Sequence, residues 1–218
     1  MADWNVALIG FVGVMAGGYL NNFMAEDFRR FRDSQALAGA LIGELNSHAD
    51  GIKVLKPMLG TMRDMFASGT KMSLPEMEKP SSPIFEANTE NIGLLAPELA
   101  EDVAYVYEQI RAFRIGMYQL TKSHGDFNKE WSVAMIGNCI ERIDCAKARG
   151  EPLLEKLRAH TKASYWARPS TIKQCAVGLV FAAALLGAVI YRSGSADAST
   201  NCTTVFDHAK GVLTTVCK

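Results

Sequence analysis

Net charge is missing from this sequence: 23 Lys+Arg stand against 23 Asp+Glu. A dedicated nucleic-acid binder carries excess basic side chains to neutralise phosphates, so a nucleic-acid partner is not expected. Cysteine is scarce, with five in 218 residues, which excludes a disulfide-dense mini-domain. Proline is absent before Pro57. Catalytic and nucleotide signatures are absent too: no Gly-x4-Gly-Lys-Ser/Thr, no Gly-x-Gly-x-x-Gly, no Gly-x-Ser-x-Gly, no His-Glu-x-x-His and no Cys-x-x-Cys. The four histidines, His48, His124, His160 and His208, are scattered, and no two sit at ligand spacing. No catalytic, cofactor-binding or metal-ligating residue is assigned, and the chain is expected not to be an enzyme. With 49% hydrophobic residues, disorder as the dominant state is excluded.

What is present is segregation. Val6–Leu20 and Cys175–Tyr191 carry no charged residue. The first, extended through Phe23-Met24-Ala25, gives roughly 20 residues, about one bilayer core at 1.5 Å rise per residue. The second lies at the short end of the spanning range, with Lys173 and Arg192 at its ends able to reach outward. A cleaved signal peptide is a poor reading of the first stretch, because Met1–Asn5 carries Asp3 and no Lys or Arg. Two membrane spans are expected, at residues 1–25 and 173–192.

Basic residues then set the orientation. None precedes the first stretch, and Arg29, Arg30 and Arg32 follow it. Lys156, Arg158, Lys162, Arg168 and Lys173 precede the second, and only Arg192 follows before Phe206. Both stretches independently place residues 26–172 in the cytoplasm and both termini outside. The tail, 193–218, holds two Thr/Val-rich runs around Asp207-His-Ala-Lys-Gly211, a hairpin pattern. A lone hairpin is marginal in water. A Cys202–Cys217 disulfide would close it, contributing about 3 kcal/mol for a loop of roughly 15 residues, in an oxidising compartment only. Asn201-Cys202-Thr203 also fits the glycosylation acceptor pattern.

Residues 25–174 hold 20 basic and 20 acidic residues and read as almost entirely helical. Helix-forming residues run on from the first stretch to Asp50-Gly51, the first plausible stop. Apolar residues at helical spacing continue over Ile52–Phe66, and Ser68–Pro83 reads as a surface loop. A short helix is expected over Ile84–Leu95, a long one over Pro97–Thr121, and a last one from about Asn128 to His160 with a kink at Gly150-Glu151-Pro152. Four such segments make an antiparallel bundle. Glu76–Glu108 holds eight acids and one Lys, whereas Gln109–Lys173 holds twelve bases and six acids. Pairing between neighbouring helices accounts for that polarity, and complementary faces for a partner compete with it.

Gly10, Gly13, Gly17 and Asn21 recur at spacings of three, four and four, on one helix face. Gly13-x-x-x-Gly17 is the pattern that lets membrane helices approach closely, and Ala183-x-x-x-Gly187 repeats it. The run Ala36-Leu-Ala-Gly-Ala-Leu-Ile-Gly-Glu44-Leu, followed by Ile92-Gly-x-Leu95-x-Pro97-x-Leu99-Ala, is broadly similar to small membrane-anchored helical proteins of bacteria. That likeness implies a bacterial inner membrane and transfers no residue role. The expectation is an all-α membrane protein: two transmembrane helices flank a cytoplasmic antiparallel bundle, followed by a disulfide-closed hairpin-like tail. Its partners would be membrane lipid, further copies of itself, and a cytoplasmic protein that the bundle senses or recruits. The competing reading is an oligomeric pore or membrane-permeabilising effector gated by the bundle, in a bacterial defence or toxin setting.

Overall fold

The computed structural model describes residues 10, 11, 13, 14, 17–75, 80–196, 202–207 and 212–217. The chain divides into two compact units, Asn21–Ala163 and Met1–Leu20 with Ser164–Lys218.

Asn21–Ala163 is built on three long helices rather than the four segments expected. The first, α1, runs over Ala25–Ala67 without a break. At 43 residues it is about 64 Å long. The expected stop at Asp50-Gly51 does not occur. A helical Gly costs about 1 kcal/mol against Ala, and buried anchors on either side, Leu45 and Leu59, hold the helix across it. Pro57 removes one backbone donor, and the helix continues through it. The true stop is Ser68-Gly69. Gly69 takes φ +79°, its N–H donates to the Phe66 carbonyl, and the Thr70 N–H reaches back to Met65. This is the paired closure that a left-handed glycine permits.

The expected short helix over Ile84–Leu95 is split into α2, Pro83–Ala87, and a 3₁₀ turn, Thr89–Leu94. The next two helices lie where the sequence places them. α3 spans Pro97–Ser123, with proline in its first turn. α4 spans Lys129–Lys162, and its Asn128 cap side chain accepts from the Trp131 N–H at 3.0 Å. Pro152 lies inside α4 and does not end it.

Both α1 and α3 run antiparallel to α4. The Gln35 amide near the start of α1 donates to the carbonyls of His160, Thr161 and Ala163 at the end of α4, and further along Lys56 pairs with Asp144. On the other side, Asp102 of α3 lies between Arg149 Nε at 2.6 Å and Lys156 Nζ at 2.7 Å, and Arg149 also meets Glu101. The separated acids and bases of the sequence thus meet across the α3–α4 contact at these positions. Lys156, then Arg149, hold the Asp102 carboxyl below its ordinary 3.8. Further along, a Cβ on Gly116 would lie 2.8 Å from Cys139 Sγ, so glycine is what allows α3 and α4 to approach there.

Two cores result. One gathers Leu37, Leu41, Leu45, Leu99, Val103, Val106, Leu153 and Leu157. The other gathers Leu59, Phe66, Met117, Leu120, Ile136, Cys139 and Ile143. Between them α1 contributes little to either: Val54 is 72% and Met58 48% exposed.

The other unit contains helical residues at 10, 11, 13, 14, 17 and 18. It also holds a 3₁₀ turn, Tyr165–Ala167, the helix α5, Pro169–Ala196, and a hairpin. A π-type turn, Tyr19–Met24, spans the boundary between the units. The strands β1, Cys202–Asp207, and β2, Val212–Cys217, pair antiparallel, with Cys202 opposite Cys217 and Asp207 opposite Val212. Among the described residues, no helix is long and apolar enough to cross a membrane.

Candidate functional site

The feature most like a site lies between the two cores of Asn21–Ala163. A cleft of about 490 Å³ opens between α1, α3 and α4, walled by Leu45, Ile52, Val106, Ile110 and Leu154. A second lobe of about 250 Å³ adjoins it, and His48, Ile52, Ile110 and Ala146 line both. The larger volume falls within the roughly 300–1,000 Å³ usual for small-molecule sites.

A polar cluster stands beside the cleft, organised by Glu44. This carboxylate is 7% exposed and lies on the buried face of α1. It accepts from the Ile84 and Phe85 N–H groups at 3.1 Å and from the Tyr107 hydroxyl at 2.7 Å. Glu44 thereby serves as the cap that α2 lacks on its own flank, because free N–H groups at a helix start need an acceptor. Tyr107 stacks on Phe85 with centroids 4.0 Å apart. Burial and the neighbouring Glu44 push the phenol well above its ordinary value. Arg114 donates to Ser82 Oγ at 2.7 Å, and the Ser82 N–H donates to Glu86. Burial pulls the Arg114 guanidinium down, against the attraction of Glu44 and Glu86.

His48 faces Ser82 Oγ at 3.5 Å, and its ring meets Tyr107 edge-on. Burial first, and Arg114 second, lower its pKa from 6.5, while Glu44 opposes them. A folded pKa below the unfolded one gives stability that is complete above about pH 6.5 and is lost as pH falls through the folded value. Asp102 acts the same way only below 3.8. The melting temperature is expected to decline already between about pH 6.5 and 5. His48→Gln should flatten that part of the curve, whereas equal slopes in both proteins would contradict the assignment.

Nothing here assembles a nucleophile. The Cys139 thiol is pushed up to about 11 by burial. Ser34 Oγ lies 2.7 Å from His160 Nε2, the spacing of a nucleophile and its base, but Ser34 is 3% exposed and closed to substrate. That pair ties α1 to α4. Among the described residues, no group of His, Cys, Asp and Glu side chains could hold a metal ion.

The residues singled out from sequence lie elsewhere. Gly10, Gly13, Gly17 and Gly187 are helical, and among the described residues a Cβ on any of them would meet nothing within 4 Å. Ala183 is exposed. The Asn21 side chain lies outside the described ones; its backbone belongs to the π-type turn. Arg29 and Arg30 share Glu26 at 2.8–3.1 Å. Arg32 and Lys173 are exposed, and Arg168 lies 5.9 Å from the Tyr165 ring centroid. Cys202 and Cys217 are opposite one another in backbone register. Glu44 escaped the sequence reading, although a carboxylate beside Leu41 and Leu45 in an apolar helical pattern was the available signal.

No protein-family model, curated protein or solved structure matches the chain.

Proposed function

We propose that this chain is a non-enzymatic integral membrane protein that self-associates and uses its cytoplasmic helical bundle to sense or recruit a partner. One observation carries the reading. On α5, Val177, Leu179 and Val180 are 70%, 71% and 70% exposed. Val177 and Val180, three residues apart, share one face of the helix and Leu179 points the opposite way, and the whole run 176–180 is exposed. Phe11 and Val14 are likewise 67% and 75% exposed. Apolar side chains bare on opposite sides of a helix call for a cover that the described residues do not supply. Lipid covers a helix all round, and the uncharged stretch Cys175–Tyr191 within α5 suits it.

Helical glycine is costly unless something approaches it closely, and among the described residues nothing lies against Gly10, Gly13 or Gly17; a second copy at that face would supply the approach. The Cys202–Cys217 register suits a cross-strand disulfide, and hence an oxidising exterior for the tail. In detergent, Gly13→Leu is expected to reduce the oligomer mass measured by light scattering. An unchanged mass would remove self-association from the proposal.

A further inference from the structure

We propose that the cleft between α1, α3 and α4 is a binding site for a single-chain amphiphile with an anionic head, the chain lying in the larger lobe and the head at Arg114 and Arg142 in the smaller. The larger lobe is walled by aliphatic side chains from all three helices, so an alkyl chain there leaves no polar group unpaired. Charge decides which end takes the head. At the mouth of the larger lobe, Lys53, Lys56 and Lys147 are each matched by a carboxylate, Asp50, Asp144 and Glu151 respectively.

The smaller lobe differs. Arg114 and Arg142 both line it, and among the described residues neither has a carboxylate within ion-pair distance. Both donate to neutral acceptors, Arg114 to Ser82 Oγ at 2.7 Å and Arg142 to Gln109 Oε1 at 3.1 Å. The nearby carboxylates of Glu44 and Glu86 already accept from backbone N–H groups around α2. Glu44 and Glu86 attract the half-buried Arg114 guanidinium at longer range, but neither pairs with it directly, so direct pairing is left to a ligand. The planar guanidinium fork suits a carboxylate or a phosphate, which the head would provide.

This inference deepens the sensing role proposed above by naming what is sensed, and it rests on that role only for the consequence of binding. The test uses the full chain in membranes from expressing cells. Three photoreactive probes are compared: a diazirine-bearing palmitate, its lysophosphatidate counterpart, and the matching neutral alcohol. Labelled peptides are mapped by mass spectrometry. Adducts are expected around Ile110 and Ala146 with at least one anionic probe, and the choice between the two identifies the head.

Labelling there should fall about ten-fold with the neutral alcohol and in Arg142→Gln, the size of one lost charge-assisted contact. Arg142 is exposed and, among the described residues, bonds only Gln109, so this variant leaves the packing in place. Ile52→Trp, which fills the shared wall, should abolish labelling. Cleft peptides unlabelled by both anionic probes would overturn the proposal. So would equal labelling by the alcohol, or labelling indifferent to both substitutions. Adducts on α5 report lipid contact separately, so a labelled cleft with an unlabelled α5 would sink the membrane reading and keep this one.

Discussion

Glu44→Ala is expected to destabilise the unit Asn21–Ala163 by about 4 kcal/mol, the range for removing one partner of a buried charged group. Three donors lose their acceptor at once: the N–H groups of Ile84 and Phe85 and the Tyr107 hydroxyl. Water cannot readily replace it, because Glu44 and Tyr107 are 7% and 3% exposed. A loss of that size lowers the melting temperature by about 10 °C in a chain of this length. The damage should be local first. With its start uncapped, α2 is expected to lift from α1 and α3, and protease sites around residues 80–96 should open. Glu44→Gln keeps one acceptor oxygen and should fall between wild type and alanine. Tyr107→Phe removes one donor and should cost about 1 kcal/mol. The double variant should lose less than the sum of the two single losses, because they share a hydrogen bond. Circular dichroism melts in detergent check all four proteins. Full additivity would show that Glu44 and Tyr107 do not act on each other.

The second large effect concerns where the chain resides. Val180→Arg is expected to move the protein out of the membrane fraction. In water this substitution is harmless, because Val180 is 70% exposed and an arginine there displaces nothing. In lipid the position lies within the uncharged stretch, where an arginine costs about 3 kcal/mol on insertion scales. That is a hundred-fold or more in the insertion equilibrium. Leu179→Lys should behave alike. The readout is the fraction of protein in alkali-washed membranes, followed by immunoblotting. If both variants pellet as wild type does, α5 is covered by protein rather than lipid.

How much was legible in the sequence depended on whether the deciding interaction was local. The start of α3 could be read because Pro97 fits a first turn, where its missing N–H costs nothing, and Glu98 follows it there. The start of α4 could be read because Asn128 caps through a bond only three residues long. The hairpin was legible because two Thr/Val-rich runs flank a turn-like stretch containing Asp207 and Gly211, and the strands pair with Cys202 opposite Cys217. Asp50-Gly51 misled because it is a good local stop signal overruled from outside: Leu45 and Leu59 pack into separate cores and hold the helix straight through. The fourth helix of the expected bundle vanished for the same reason, since Ile52–Phe66 is the end of α1. The cleft was out of reach altogether. It depends on how far three helices stand apart, and no single helix records that. Glu44 is intermediate: its place on a buried stripe could be read, but its partners, some 40 residues on at α2 and 63 residues on at Tyr107, could not.

The central claim is that lipid surrounds the uncharged stretches and that the helical bundle lies inside the cell with the hairpin outside. Impermeant maleimide labelling of intact cells, after an impermeant reductant, tests it most directly. A cysteine placed at the exposed Ser81 serves as the interior reporter. The account predicts that Cys202 and Cys217 are modified in intact cells and that Ser81→Cys is modified only once the cells are opened. Tail cysteines protected until lysis, or a Ser81→Cys reporter modified before it, would contradict the account.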